Sequence, residues 1–289
     1  GHNPQGSQRI QCRNCKKVWT PKKYQKEITH PQAIETVQLF IPFQGASAVQ
    51  KLYVLVSLDA TRGNILHLST NYTQHQTGDS LRYSYKGNTE PTMHHRDIVQ
   101  KVDMREAQFL RRSQFDEIQY GSAVLKRNGK GAILRPVITA HGHFRILKIR
   151  YPDVKTHIIS HECFLRGAII TAWADQFRQQ QGELWFVEEE ISDSNADTPW
   201  HFKGTTYHGW WQNQWQRWEQ GNNCKMVCLL TGVCLERGAN VSLATSRCFI
   251  TWLTDQHDFT QSALLSAGRV AQMLTSLALK YNESLTPSC

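Results

Sequence analysis

The chain is predicted to be α/β, with a mixed sheet between flanking helices, and three stretches carry that expectation. An apolar run at Leu52–Leu58 is followed, after a short turn, by a second run at Ile65–Thr70. A capped helical stretch at 160–181 leads directly into the short apolar run Leu184–Val187. The last patterned segment keeps a 3.6-residue period through Ala267, Val270, Ala271, Leu274, Leu277, Ala278 and Tyr281.

The first stretch has a strong β signal. Leu52-Tyr53-Val54-Leu55-Val56-Ser57-Leu58 reads as a buried strand and ends in Asp59; Thr61-Arg62-Gly63-Asn64 is a turn, and the chain returns through Ile65–Thr70. Residues 74–95, with His94 and His95, read as a loop or insertion, and 97–118 as a helix through Val102, Phe109, Phe115 and Ile118. Residues 132–139 and 144–151 read as two strands around a turn at Ala140-His141-Gly142-His143. Ser160 is the expected N-cap of the next helix and Gly182 its stop. Trp211, Trp215 and Trp218 fall at i, i+4 and i+7, the spacing of one helical face, and read as core. The apolar runs at 224–235 and 241–252 fit either strands or buried helix, and Asp258 is the cap candidate for the last helix.

Composition narrows the function classes. The chain has 289 residues, 40% hydrophobic and 20% charged, so it can build a substantial core. A formal charge of +9 suits a polyanionic partner, for which nucleic acid is the commonest choice. No apolar run is long enough for a membrane span, and the polar first residues do not read as a secretory leader. Eight irregularly spaced cysteines suit a reducing cytoplasm, with Cys224, Cys228, Cys234 and Cys248 read as buried thiols. The histidines His94, His95, His141, His143, His157 and His161 form no trusted metal or catalytic spacing and read as structural. Phosphate-binding, dinucleotide-binding and hydrolase motifs are not present, and there is no internal repeat.

The first 30 residues are basic, with Arg9, Arg13, Lys16, Lys17, Lys22, Lys23 and Lys26 against the single acid Glu27. They also hold Cys12-x-x-Cys15, half of the four-thiolate set of a zinc ribbon. Gly1–Ser7 reads as a turn rather than a start, so the chain is expected to be cut from something longer.

The stretch Gly6-Ser7-Gln8-Arg9-Ile10-Gln11-Cys12-Arg13-Asn14-Cys15-Lys16-Lys17-Val18-Trp19 resembles the second half of the zinc ribbon that opens many bacterial insertion-sequence transposases. That family's pattern has a glycine, Gln-Arg, an apolar residue, one more residue, Cys-x-x-Cys, a base and then an aromatic. The resemblance implies a zinc site at Cys12 and Cys15, completed by two upstream cysteines, or by His2 or His30 in their place. It also implies a ribonuclease-H-like domain of the DDE type. There, one carboxylate lies on the first strand of a mixed sheet, a second follows a later strand that comes after a helix, and a third sits on a late helix. Together they hold two Mg²⁺ ions roughly 4 Å apart for DNA strand cleavage and transfer. Asp59 suits the first position and Glu188, at the head of Glu188-Glu189-Glu190, the second. The third is unidentified, with Asp255, Asp258, Glu236 and Glu219 as the nearby acids.

The expected organisation is a basic partial zinc-ribbon arm at 1–30, a connector at 31–50 and a ribonuclease-H-like domain at 51–289, with insertions near 74–130 and 192–222. Three functions stay open: a transposase-derived DNA-binding protein without efficient cutting, an active Mg²⁺-dependent transposase, or a protein-interaction module on the same fold. The first two imply DNA contacts at Arg9, Arg13, Lys16, Lys17, Lys22 and Lys23. The tryptophan-rich region is the candidate contact face for the third, and a homo-oligomer is compatible with any of them.

Overall fold

The computed structural model describes residues 30–45, 49–73, 97–115, 132–134, 136–193, 198–232 and 235–285, together with short strands at 10–11, 18–19, 84–87 and 121–124. The chain divides into two compact units, Gly1–His30 and Pro31–Cys289. In the first, Ile10–Gln11 pairs antiparallel with Val18–Trp19. Cys12, Cys15, Arg9, Arg13, Lys16, Lys17, Lys22 and Lys23 lie outside the described residues, as do His94 and His95.

The second unit is mixed α/β. The strands of its main sheet are β1 (Ala33–Gln44), β2 (Val49–Asp59), β3 (Ile65–Thr70), β4 (Thr156–Ser160), β5 (Glu183–Glu190), β6 (His201–His208), β7 (Asn213–Gln220) and β8 (Asn223–Thr231). They form one sheet in the order β6-β7-β8-β5-β4-β1-β2-β3. β4 runs parallel to both β1 and β5, and every other neighbouring pair is antiparallel.

Helices cover both faces. On one side lie α1 (Ile98–Phe115), α2 (Pro136–Arg150), α3 (Cys163–Ala172) and α4 (Ala174–Arg178). Here Leu55, Ile159 and Phe186 of the sheet share a core with Phe144, Phe164 and Trp173. On the other side lie α5 (Ala244–Thr254) and α6 (Ala267–Ser284). Val54, Val56, Trp185 and Val227 there pack with Phe249, Val270, Leu274 and Tyr281. The result is three layers with the sheet buried between helices.

β2, β3, α1 and α6 stand where their patterns predict. The buried face of α6 is Ala267, Val270, Leu274, Leu277, Ala278 and Tyr281. Its N-cap is Ser266, while Asp258 sits in a short helical turn before it.

Other stretches differ from expectation. The supposed connector at 31–50 contains β1, which is bracketed by β2 and β4. Its buried Glu35 and Thr36, and its Pro42, blur both the alternation and the continuous apolar run that mark strands. The two strands expected around 140–143 are one helix, α2. Pro136 is its first residue, a position that needs no N–H donor. Ala140, His143, Phe144 and Leu147 are buried at i, i+3, i+4 and i+7.

The helix expected over 160–181 breaks into α3 and α4 at Trp173, and Ser160 ends β4 instead of capping. The cap is Glu162, whose carboxylate accepts from the Cys163 amide at 3.0 Å. The tryptophan helix is a β-ribbon. Trp211 lies in the β6–β7 turn, Trp215 packs in the core against α1–α4, and Trp218 packs on the core against α5 and α6. The run at 224–235 supplies β8 and that at 241–252 supplies α5. Cys228 is buried, but Cys248 is exposed.

Two charged side chains tie α5 and the segment before it to the sheet. Glu35 of β1 accepts from the Ser246 amide and hydroxyl, both at 2.9 Å, at the start of α5. Burial pushes its carboxyl above the ordinary value. Lys225 of β8 is fully buried, donates to the carbonyls of Ala239 at 2.6 Å and Val241 at 2.8 Å, and lies 4.5 Å from the Trp200 ring.

Burial pushes the Lys225 ammonium down to about 8. Between that value and the unfolded value of about 10.4, the unfolded chain holds the extra proton, so stability rises with pH across this window. Urea unfolding from pH 7 to 10 should show this increment as the difference between the wild-type and Lys225→Met profiles. Parallel profiles would show that the ammonium is not perturbed.

Candidate functional site

The predicted acids are not brought together. Asp59, expected on the first strand of the sheet, ends the second, β2, because Ala33–Gln44 forms a strand before it, and it is buried. Its Oδ1 accepts from the amides of Thr61 at 2.9 Å and Arg62 at 3.2 Å, and its carbonyl accepts from Gly63 N at 2.8 Å. The carboxylate therefore closes the β2–β3 turn. Across the sheet, Asp59 is level with Ile34, His157 and Leu184, and Glu188 lies four residues further along β5. At about 3.3 Å per residue and 4.8 Å per strand, the two acids stand roughly 20 Å apart. A pair of metal ions roughly 4 Å apart cannot bridge them.

The three glutamates of β5 each have a basic partner. Glu188 pairs with Arg105 of α1 at 3.2 Å, and Glu190 pairs with Lys101 of the same helix. Glu189 points to the opposite face, where it pairs with Arg247 of α5 and accepts from the Leu243 amide at 3.1 Å. This alternation is the two-residue period of a strand. Of the acids considered for the third position, Glu219 pairs with Arg217 at 2.9 Å and Lys203 at 3.3 Å. Asp255 ends α5 and is exposed, Asp258 is exposed in its short helix, and the Glu236 side chain lies outside the described residues. Among the described residues, no three His, Cys, Asp or Glu side chains converge to hold a metal ion.

What the fold does bring together is a cluster where α1, the end of β4 and the β6–β7 ribbon meet. His161 follows β4 directly and is fully buried, with Phe186 and Trp215 at ring distances of 4.9 Å and 4.5 Å. Its Nε2 lies 3.1 Å from Oε1 of Glu106, and Asn213 Nδ2 donates to the same oxygen at 3.1 Å. Burial pushes the imidazole below its ordinary value, against the pull of the Glu106 carboxylate. A neutral ring donating Nε2–H to the carboxylate fits both facts.

Three residues earlier on α1, Asp103 lies 2.6 Å from His208 Nδ1, while His208 Nε2 lies 2.7 Å from the Thr206 hydroxyl. The β6–β7 ribbon is thereby fastened to α1 from both strands, through His208 on one and Asn213 on the other. α1 divides its charges by helical spacing. Lys101 and Arg105 (i, i+4) serve β5, while Asp103 and Glu106 (i, i+3) serve the ribbon.

The turn beyond this fastening is conformationally restricted. Gly209 has φ +74°, and a Cβ there would lie 2.3 Å from Glu106 Oε2. Gln212 has φ +50°, and its amide donates to the Gly209 carbonyl at 3.2 Å. Between them Trp210 is 74% exposed and Trp211 is 49% exposed. The Arg166 guanidinium of α3 stands 5.7 Å from the Trp211 ring centre.

Of the cluster, only His161 stands out in the sequence, as a structural histidine paired with no acid. Asp103 and Glu106 stand one helical turn apart, but nothing local in the sequence joins them to His161. A second polar chain lies under α2: Thr36, Ser57, His143, Ser69 and His67 are linked in sequence by contacts of 2.6, 2.8, 2.8 and 3.0 Å. Burial lowers both histidines, His67 to about 4, so this chain is a neutral one.

The chain matches no family model and no curated protein. No helix among the described residues is long and apolar enough to cross a membrane.

Gly209→Ala drives a methyl group into the Glu106 carboxylate at a backbone angle unsuited to alanine. It should cost about 1–3 kcal/mol in urea unfolding. An unchanged midpoint would show that the turn is not fastened as described.

Proposed function

We propose that this is a transposase-derived DNA-binding protein on a ribonuclease-H-like fold, whose acids serve as structural ion pairs. The observation that carries this reading is the pairing of Glu188, Glu189 and Glu190 with Arg105, Arg247 and Lys101. The segment the resemblance would recruit for metal is thereby neutralised by neighbouring helices.

The sheet supports the fold part of the reading. Its first strand lies inside the sheet, and the hairpin β2–β3 continues from one side of it. β4 and β5 follow helices and extend the sheet from the other side. Mg²⁺ does not fit the residues assigned to it. Asp59 is committed to backbone amides and stands far from Glu188. No step is therefore derived through a metal pair. Zinc at Cys12 and Cys15 and a homo-oligomer remain part of the family resemblance alone, while a cytoplasmic home rests on the cysteines. The free thiols of Cys224, Cys228 and Cys248 fit a reducing compartment.

The net charge of +9 supplies the attraction for DNA, and Arg9, Arg13, Lys16, Lys17, Lys22 and Lys23 are its proposed phosphate contacts. Binding to a short duplex should weaken steeply with salt, by roughly 0.9 in log-log slope per phosphate contact. Replacing these six bases with glutamine should lower both the affinity and the slope. A salt-independent affinity, or a slope unchanged in the sixfold variant, would overturn the assignment.

A further inference from the structure

The β6–β7 turn has a construction that neither ion pairing nor core packing explains. It presents two adjacent indoles, of which Trp210 is the most exposed large hydrophobic side chain of the described residues. Exposed tryptophan is costly in water and is not needed to close a hairpin. Yet the turn that carries it is fastened to α1 at both ends, by His208 and Asn213, and Gly209 is pressed against the Glu106 carboxylate. A rigid turn pays little ordering entropy when it engages a partner, so the fastening favours binding at the tip.

We propose that the Trp210–Trp211 turn is a stacking platform for an unpaired nucleobase of DNA. The inference rests on the DNA-binding reading above and specifies what that DNA must offer. Three observations select this partner. The tip offers flat indole rings, which suit a base because every base has a π-face. Arg166 beside Trp211 adds a guanidinium, able to meet a neighbouring phosphate or to lie along a stacked base. Residues 31–289, the unit that carries the turn, hold 26 Lys and Arg against 23 Asp and Glu, an excess of three positive charges that leans toward a polyanion. A base within an intact duplex has both faces covered by its neighbours, so the platform requires one that is out of the stack.

The test compares two duplexes of equal length at one salt concentration, one fully paired and one with a single bulged thymine, binding to the full chain by fluorescence anisotropy. The bulged duplex should bind about tenfold tighter, the scale of one base–aromatic stack. Trp210→Ala and Trp211→Ala should each remove that preference, while their affinity for the paired duplex and their urea midpoints stay at wild-type values. Intrinsic tryptophan fluorescence should fall on binding the bulged duplex and change less in Trp210→Ala.

Equal affinity of the wild-type chain for both duplexes overturns this inference and leaves the DNA-binding reading standing. So does a preference that survives in both tryptophan variants. Binding to neither duplex overturns the DNA-binding reading and the inference with it. If sedimentation shows a self-association that Trp210→Ala abolishes without changing DNA preference, the turn is a protein interface and the inference fails.

Discussion

The register of β1 between β2 and β4 is the constraint on which the rest of the molecule depends. β1 is antiparallel to β2 from Ile34 opposite Asp59 to Gln44 opposite Val49, and parallel to β4 from Ala33 beside Thr156. A one-residue slip would turn every side chain of β1 to the wrong face of a sheet buried on both sides. Glu35 would then leave the start of α5, and Thr36 would leave the polar chain under α2. The same register decides the fate of the acids. It puts the end of β2 level with the beginning of β5, so Asp59 and Glu188 belong to different parts of the sheet.

Charge at the contacts between helices and sheet serves assembly. α1 carries two sets of ionic side chains at helical spacing, one for β5 and one for the β6–β7 ribbon. α5 takes Glu35 at its start and pairs Arg247 with Glu189. Pairs this close to the core are costly to break, since the partner left behind keeps its desolvation penalty without its compensation. The carboxylates thus hold helices to the sheet, which is a different task from holding divalent ions. On the proposed reading, affinity for DNA is therefore assigned to surface charge and to the exposed rings of the ribbon turn rather than to these carboxylates.

The sequence revealed parts of this design unevenly. β2 was readable as an unbroken apolar run buried on both faces, β3 as its return after a turn, and α1 and α6 from apolar residues at helical spacing. α2 was not, since its β-branched residues and Gly142 suggested strand and turn, while the burial of Ala140, His143, Phe144 and Leu147 follows the helical period. The tryptophans illustrate the reverse error. Spacing of four and three residues is helical arithmetic, yet Trp211 lies in a turn and Trp215 and Trp218 face opposite sides of a strand. The cluster at His161 was hidden for a simpler reason. Its members come from α1, the end of β4 and both strands of the ribbon, and no local pattern links residues so far apart in the chain. The basic arm with Cys12 and Cys15 was legible as a motif, and its residues lie outside those described.

The central claim is that this chain holds DNA while its acids are committed to structure. The most direct measurement is strand cleavage of a bound duplex with Mg²⁺ or Mn²⁺, run on the wild-type chain and on Asp59→Ala under conditions where anisotropy shows the DNA to be bound. The account predicts bound, intact DNA for both chains. Metal-dependent cleavage by the wild-type chain that disappears in Asp59→Ala would contradict it.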